Sequence, residues 1–169
     1  VRFLKNVTGL WLLQECRRQW SEQGDDLEYD ELCRLARLAE PFVSLIDPDD
    51  ERFFHPDDMP AEIAGFCRQT GQPEPANPGA FARCCFESLA LVYRRRVDEL
   101  RELTGRPVER MHVLGGGSRN HLLNQFTANA LAIPVAAGPA EATALGNVVA
   151  QAIALHHLPD RATARRRIA

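Results

Sequence analysis

The chain has 169 residues, 45% hydrophobic and 25% charged, with a formal net charge of −3. It is long enough for one soluble domain that buries roughly 70% of its unfolded surface, and its acidic balance offers no electrostatic footprint for nucleic acid. No run of about 20 apolar residues marks a membrane span, and five cysteines without CxxC or zinc-ligand spacing point to a cytoplasmic protein with buried thiols.

The first residue is not Met, so Val1 is expected to lie inside a longer chain. Residues 6–20 carry Val7, Leu10, Trp11 and Leu13 at helical spacing, which predicts an amphipathic helix with Gly24 beyond its end. Tyr29 to Glu40 reads as a second helix, with Leu32, Leu35, Ala36 and Ala39 on one face and Pro41 as its stop. Residues 43–60 hold Asp47-Pro-Asp-Asp50, Phe53-Phe54 and Pro56-Asp-Asp58, which is turn chemistry around two aromatics. These aspartates lack calcium-loop spacing, and Asp57 or Asp58 is placed to cap the helix expected over 60–69. The five histidines show no metal motif either, so no metal ligand is assigned. A Pro- and Gly-rich loop over 71–79 precedes the longest expected helix, 80–103, whose buried face is Phe81, Cys85, Leu89, Val92, Leu100 and Leu103, with Gly105 ending it.

The pattern then changes. Val108–Leu114 reads as a strand, Gly115–Gly117 as a turn, and Arg119–Leu131 as a helix with Ser118 as its N-cap. Ile133–Ala136 is a second strand, Gly138-Pro139 a turn, and Glu141–His156 a further helix. Strand, helix, strand, helix with short connections predicts a parallel α/β layer, and two strands call for partner strands elsewhere. Ala142, Gly146 and Ala150 recur every turn of the last helix, a column that predicts close packing. The Arg-rich stretch 161–167 is expected to be solvated and poorly ordered, leaving 1–158 as the folded portion and 159–169 as a basic tail.

Gly115-Gly-Gly117 fits no common phosphate loop. A Walker A loop needs a Lys that is absent, the dinucleotide fingerprint needs a glycine where Asn120 stands, and a kinase hairpin loop would not precede a helix. What remains is side-chain-free backbone between a strand and the positive end of a helix, suited to a flat or anionic ligand. A tight turn with no ligand is the alternative that spacing alone leaves open. The second turn, Ala137-Gly-Pro-Ala-Glu141, lies at the same end of a parallel strand, where open α/β sheets hold ligands.

Taken together, Val113-Leu-Gly-Gly-Gly-Ser-Arg-Asn120, Leu122-Leu-Asn-Gln125 and Ala137-Gly-Pro-Ala-Glu-Ala-Thr-Ala-Leu-Gly-Asn147 resemble the C-terminal part of FGGY-type carbohydrate kinases. Val1-Arg-Phe-Leu-Lys-Asn-Val-Thr-Gly-Leu-Trp-Leu-Leu-Gln14, Ile46-Asp-Pro-Asp-Asp-Glu-Arg-Phe53 and Phe86-Glu-Ser-Leu-Ala-Leu-Val-Tyr93 are similar to members that act on L-rhamnulose, so the resemblance runs from Val1 to about Leu155. It implies the C-terminal part of an actin-like (ribonuclease H-like) ATPase domain, an α/β fold that is helix-rich with a partial parallel sheet. It also implies transfer of the ATP γ-phosphate, with Mg²⁺, to the 1-hydroxyl of L-rhamnulose or a related ketose.

Residue by residue, the resemblance implies that Gly116 approaches the nucleotide within the turn Gly115–Gly117 and Asn120, that Gln14 contacts ATP, and that Asn6 contacts the sugar. An N-cap at Asn6 and a solvated face at Gln14 are the alternatives read from the residues alone; one helix carrying both would separate them by about 12 Å. A disulfide between Cys67 and Cys84 is implied by the resemblance, whereas cytoplasmic redox favours reduced thiols. The phosphate turn and the catalytic aspartate are expected in an N-terminal lobe upstream, which with the nucleotide would hold most of the Mg²⁺. No catalytic residue is therefore assigned, and this segment alone is expected to be inactive. A non-catalytic actin-like module for nucleotide sensing or regulation is the alternative function.

Overall fold

A computed structural model describes residues 3–168. The chain divides into two compact units, one of Val1–Met111 with Asn120–Val135 and one of His112–Arg119 with Ala136–Ala169. Two of the three boundaries fall within the strands, after Met111 and after Val135, and the third falls after Arg119.

The first unit is helical: α1 (Trp11–Glu22), α2 (Tyr29–Leu38), α3 (Met59–Gln69), α4 (Pro78–Thr104) and α5 (His121–Leu131), with a short 3₁₀ turn at Glu51–Phe53. α1 begins five residues later than its apolar spacing predicts, because Gly9 takes a left-handed φ of 65° and breaks the helix direction. Its buried stripe is Leu12, Leu13, Cys16 and Trp20. α3 starts where Asp58 Oδ1 accepts from the Ala61 N–H at 2.9 Å, and α4 where Asn77 Oδ1 accepts from Ala80 N–H at 3.0 Å with Pro78 at the first helical position. α4 is the central element, packing on both α2 and α5. Every residue from Cys84 to Ala90 is buried, including Glu87 and Ser88.

Those two polar residues are satisfied. Glu87 accepts from Arg83 Nε at 2.7 Å and from the Phe42 N–H at 2.8 Å, and Ser88 Oγ accepts from the Ile46 N–H at 3.0 Å. They tie the loop after α2 to the core without leaving a buried group unpaired. Beyond the core the last turns of α4 are solvated: Leu103, expected on the buried face, is 72% exposed. Ion pairs such as Arg96–Glu99 at 2.7 Å and Arg101–Asp98 at 2.9 Å dress this end, until Gly105 closes it with φ 61°.

The strands β1 (Met111–Val113) and β2 (Val135–Ala137) run parallel, and in the second unit the Gly138 N–H donates to Val113 O at 2.8 Å. β1 is shorter than 108–114 because the Val108 carbonyl is taken by Arg101, and β2 begins at Val135, just after Pro134, whose carbonyl accepts from the Met111 N–H at 3.0 Å. α6 (Ala142–Ala154) follows, but none of its residues is buried, and a Cβ built on Gly146 meets nothing within 4 Å. The close packing expected of the Ala142–Gly146–Ala150 column is therefore not made within the described residues. The basic tail, expected to be disordered, forms α7 (Arg161–Ile168): Asp160 Oδ1 accepts from the Thr163 N–H at 2.7 Å as a cap, and Ala164 is buried. Among the described residues no helix is long and apolar enough to cross a membrane.

Candidate functional site

The three glycines after β1 are glycine for different reasons. Gly115 has φ 78°, a left-handed conformation that side chains disfavour. Its N–H donates to Pro139 O at 3.3 Å, which ties this turn to the one after β2. Its carbonyl accepts from the Ser118 N–H at 3.0 Å and from Ser118 Oγ at 2.7 Å, so Ser118 closes the loop as a 3₁₀ turn over Gly116–Arg119. A Cβ on Gly117 would sit in ordinary contact with Val113 Cγ1 at 3.7 Å. Gly116 shares a φ outside the left-handed region with Gly117 but is exposed, and a Cβ there would meet nothing within 4 Å. Neither backbone geometry nor packing within the chain requires a glycine at 116.

Ser118 is not the cap of the following helix. That role belongs to Asn120, whose Oδ1 accepts from the Leu123 N–H at 2.9 Å. Asn120 is 3% exposed, its Nδ2 donates to the Tyr29 hydroxyl at 3.4 Å, and the Cys33 thiol lies 3.9 Å from its Oδ1. The residue expected to touch a nucleotide thus has its side chain committed inside the first unit. Tyr29 is 91 residues away in sequence, so no local spacing could have signalled it.

Gln14 is exposed on α1, as a solvated or ligand-facing side chain requires. Asn6 is also exposed but lies in the irregular segment before Gly9, so it neither caps α1 nor shares a helix with Gln14. The structure brings Gly115, Gly116 and Gly117 together in the second unit, while Asn6, Gln14 and Asn120 belong to the first.

All five cysteines are free thiols. Cys67 near the end of α3 and Cys84 in α4 are neighbours, both buried. The hydrogen bond from Cys84 pulls the Cys67 pKa down, and the same neighbour together with burial pushes Cys84 up. Among the described residues no three His, Cys, Asp or Glu side chains gather as a metal site. The aspartates around 50 are used locally, Asp49 on Arg96 at 2.8 Å and Asp50 on Arg52 at 3.0 Å. These donors, spent on neighbouring arginines, do not fit Mg²⁺.

Residues 1–155 match the C-terminal domain of the FGGY family of carbohydrate kinases. The chain belongs to this family. It is 54% identical over 168 residues to a rhamnulokinase of Bacteroides thetaiotaomicron, covering 99% of this chain and 34% of that protein. Rhamnulokinases of Enterococcus faecalis and Bacillus subtilis are 45% and 41% identical, each with 98% of this chain and 33% of the relative covered. The chain therefore spans about one third of the length of the curated relatives it matches. A helix-rich build with a small parallel sheet agrees with the actin-like ATPase fold expected of an FGGY C-terminal domain.

Proposed function

We propose that this chain is the C-terminal nucleotide-binding portion of a cytoplasmic rhamnulokinase, which transfers the γ-phosphate of ATP to the 1-hydroxyl of L-rhamnulose to give L-rhamnulose 1-phosphate. One observation carries the nucleotide assignment: Gly116 has open space where a side chain would stand, and the chain makes no use of it. Glycine inside ordered structure is costly, and bare backbone at a strand exit lets a flat nucleotide lie against the main chain. Gly115 and Gly117 shape that exit. Gln14, exposed on α1, is assigned to ATP, and Asn6, on the irregular segment before it, to the sugar.

ATP supplies the phosphoryl group. Phosphoryl transfer is mainly positioning and charge stabilisation, and this chain contributes positioning. The aspartate that takes the sugar's hydroxyl proton and the groups that hold Mg²⁺ belong to the rest of the kinase. The complete kinase, given ATP, Mg²⁺ and L-rhamnulose, is expected to release ADP in step with L-rhamnulose 1-phosphate. ATP binding with no sugar-dependent ADP would instead identify a non-catalytic nucleotide sensor, and no ATP binding would sink both readings.

Cys67 and Cys84 are the pair that an oxidant should close, with reduced thiols as the resting state in a reducing compartment. Mild oxidation of the folded protein followed by peptide mass mapping should show a loss of about two mass units confined to peptides joining these two residues. Oxidation that spares them while linking Cys16, Cys33 or Cys85 would contradict the pairing.

A further inference from the structure

Asn120 stands where the chain leaves the glycine turn and enters α5. Its neighbour Arg119 is 74% exposed and pairs with Glu141 at 3.9 Å, a solvated pair that anchors little. Asn120, in contrast, is held from two directions. Its Oδ1 accepts from the Leu123 N–H at 2.9 Å, and its Nδ2 donates to the Tyr29 hydroxyl at 3.4 Å. Tyr29 is the first residue of α2; α2 packs on α4, and α4 packs on α5, so the phenol is fixed to the core of the first unit. Burial raises the Tyr29 pKa to about 12, which keeps it a neutral phenol able to accept from the amide across the ordinary pH range.

We propose that Tyr29 is a positioning residue for nucleotide binding: through Asn120 it fixes the end of the turn that presents Gly116. The proposal rests on the reading that Gly116 receives the nucleotide. Without the Tyr29 hydroxyl, the buried Asn120 amide loses its partner. It must then either stay unpaired or rotate out of the cap, and each outcome loosens the point where turn and helix meet. The substrate sugar has no part in this contact, so its affinity should not change.

The test uses the complete kinase with Tyr29→Phe, Asn120→Ser and the double variant. Serine keeps a helix cap but cannot reach Tyr29. Tyr29→Phe should raise the KM for ATP roughly tenfold, the effect of one buried hydrogen bond, with the KM for L-rhamnulose near wild type and a melting temperature lower by a few degrees. Asn120→Ser should give a similar rise, and the double variant should be no worse than either single, since both break one link. A wild-type ATP KM in Tyr29→Phe overturns the proposal, as do additive effects in the double variant or an equal rise in both KM values. Gly116→Val separates the two layers. If it too leaves the ATP KM unchanged, the nucleotide reading has failed and this proposal falls with it; if it abolishes binding while Tyr29→Phe is silent, only the role of Tyr29 is lost.

Discussion

Gly116→Val in the complete kinase is expected to raise the ATP KM by at least about a hundredfold, because an isopropyl group would occupy the space assigned to the nucleotide and displace it by more than an ångström. The protein itself should tolerate the change. No atom lies within 4 Å of a Cβ at 116, and the backbone there is outside the left-handed region, so the folded state meets no clash. Melting should stay within roughly 2 °C of wild type, the usual range for a surface substitution. The paired outcome, affinity lost and stability kept, is what distinguishes a ligand-facing glycine from a structural one. An unchanged ATP KM refutes the assignment, and a collapse of the fold would show that the turn needs Gly116 for itself.

Gly79 should behave in the opposite way. It is buried in the first turn of α4 where that helix crosses α2, and a Cβ there would lie 2.9 Å from both Leu35 Cβ and Leu35 O. Backbone on both sides leaves no flexible atom to yield, so the helices must move apart. Gly79→Ala is expected to destabilise by about 1–3 kcal/mol as an overpacked site, although alanine is the better helix former by up to about 1 kcal/mol. For a unit of this size that is a fall in melting temperature of roughly 4–11 °C, measurable by thermal denaturation. The ATP KM should not follow it, since Gly79 is no part of the glycine turn. A neutral or stabilising result would mean that α2 and α4 are less tightly apposed than their atoms suggest.

How far the sequence could be read depended on whether a signal was local. The helices with periodic apolar faces were legible, as were the Asp58 cap, the glycine end of α4 and the strand–turn–helix alternation after Val108. Errors arose where one residue overrode a pattern. Gly9 cut α1 short of Asn6, Asp160 capped a helix in what composition suggested was a disordered tail, and Asn120 took the cap that Ser118 was expected to supply.

The candidate site divides along the same line. The glycine turn is visible as three letters, but only coordinates distinguish Gly115, held by its φ, from Gly116, which the chain does not need. The Tyr29–Asn120 contact and the Gly79–Leu35 crossing depend on the packing of α2, α4 and α5, and nothing in the local sequence encodes them. Gln14 and Asn6 carry no physical signal beyond exposure; their assignments rest on the family resemblance.

The most direct measurement is a crystal structure of the complete kinase with a non-hydrolysable ATP analogue and Mg²⁺. The nucleotide is predicted to lie against the main chain at Gly116, in van der Waals contact with its Cα and the neighbouring peptide planes. Analogue bound elsewhere, with the space over Gly116 filled by other protein atoms, would contradict the account.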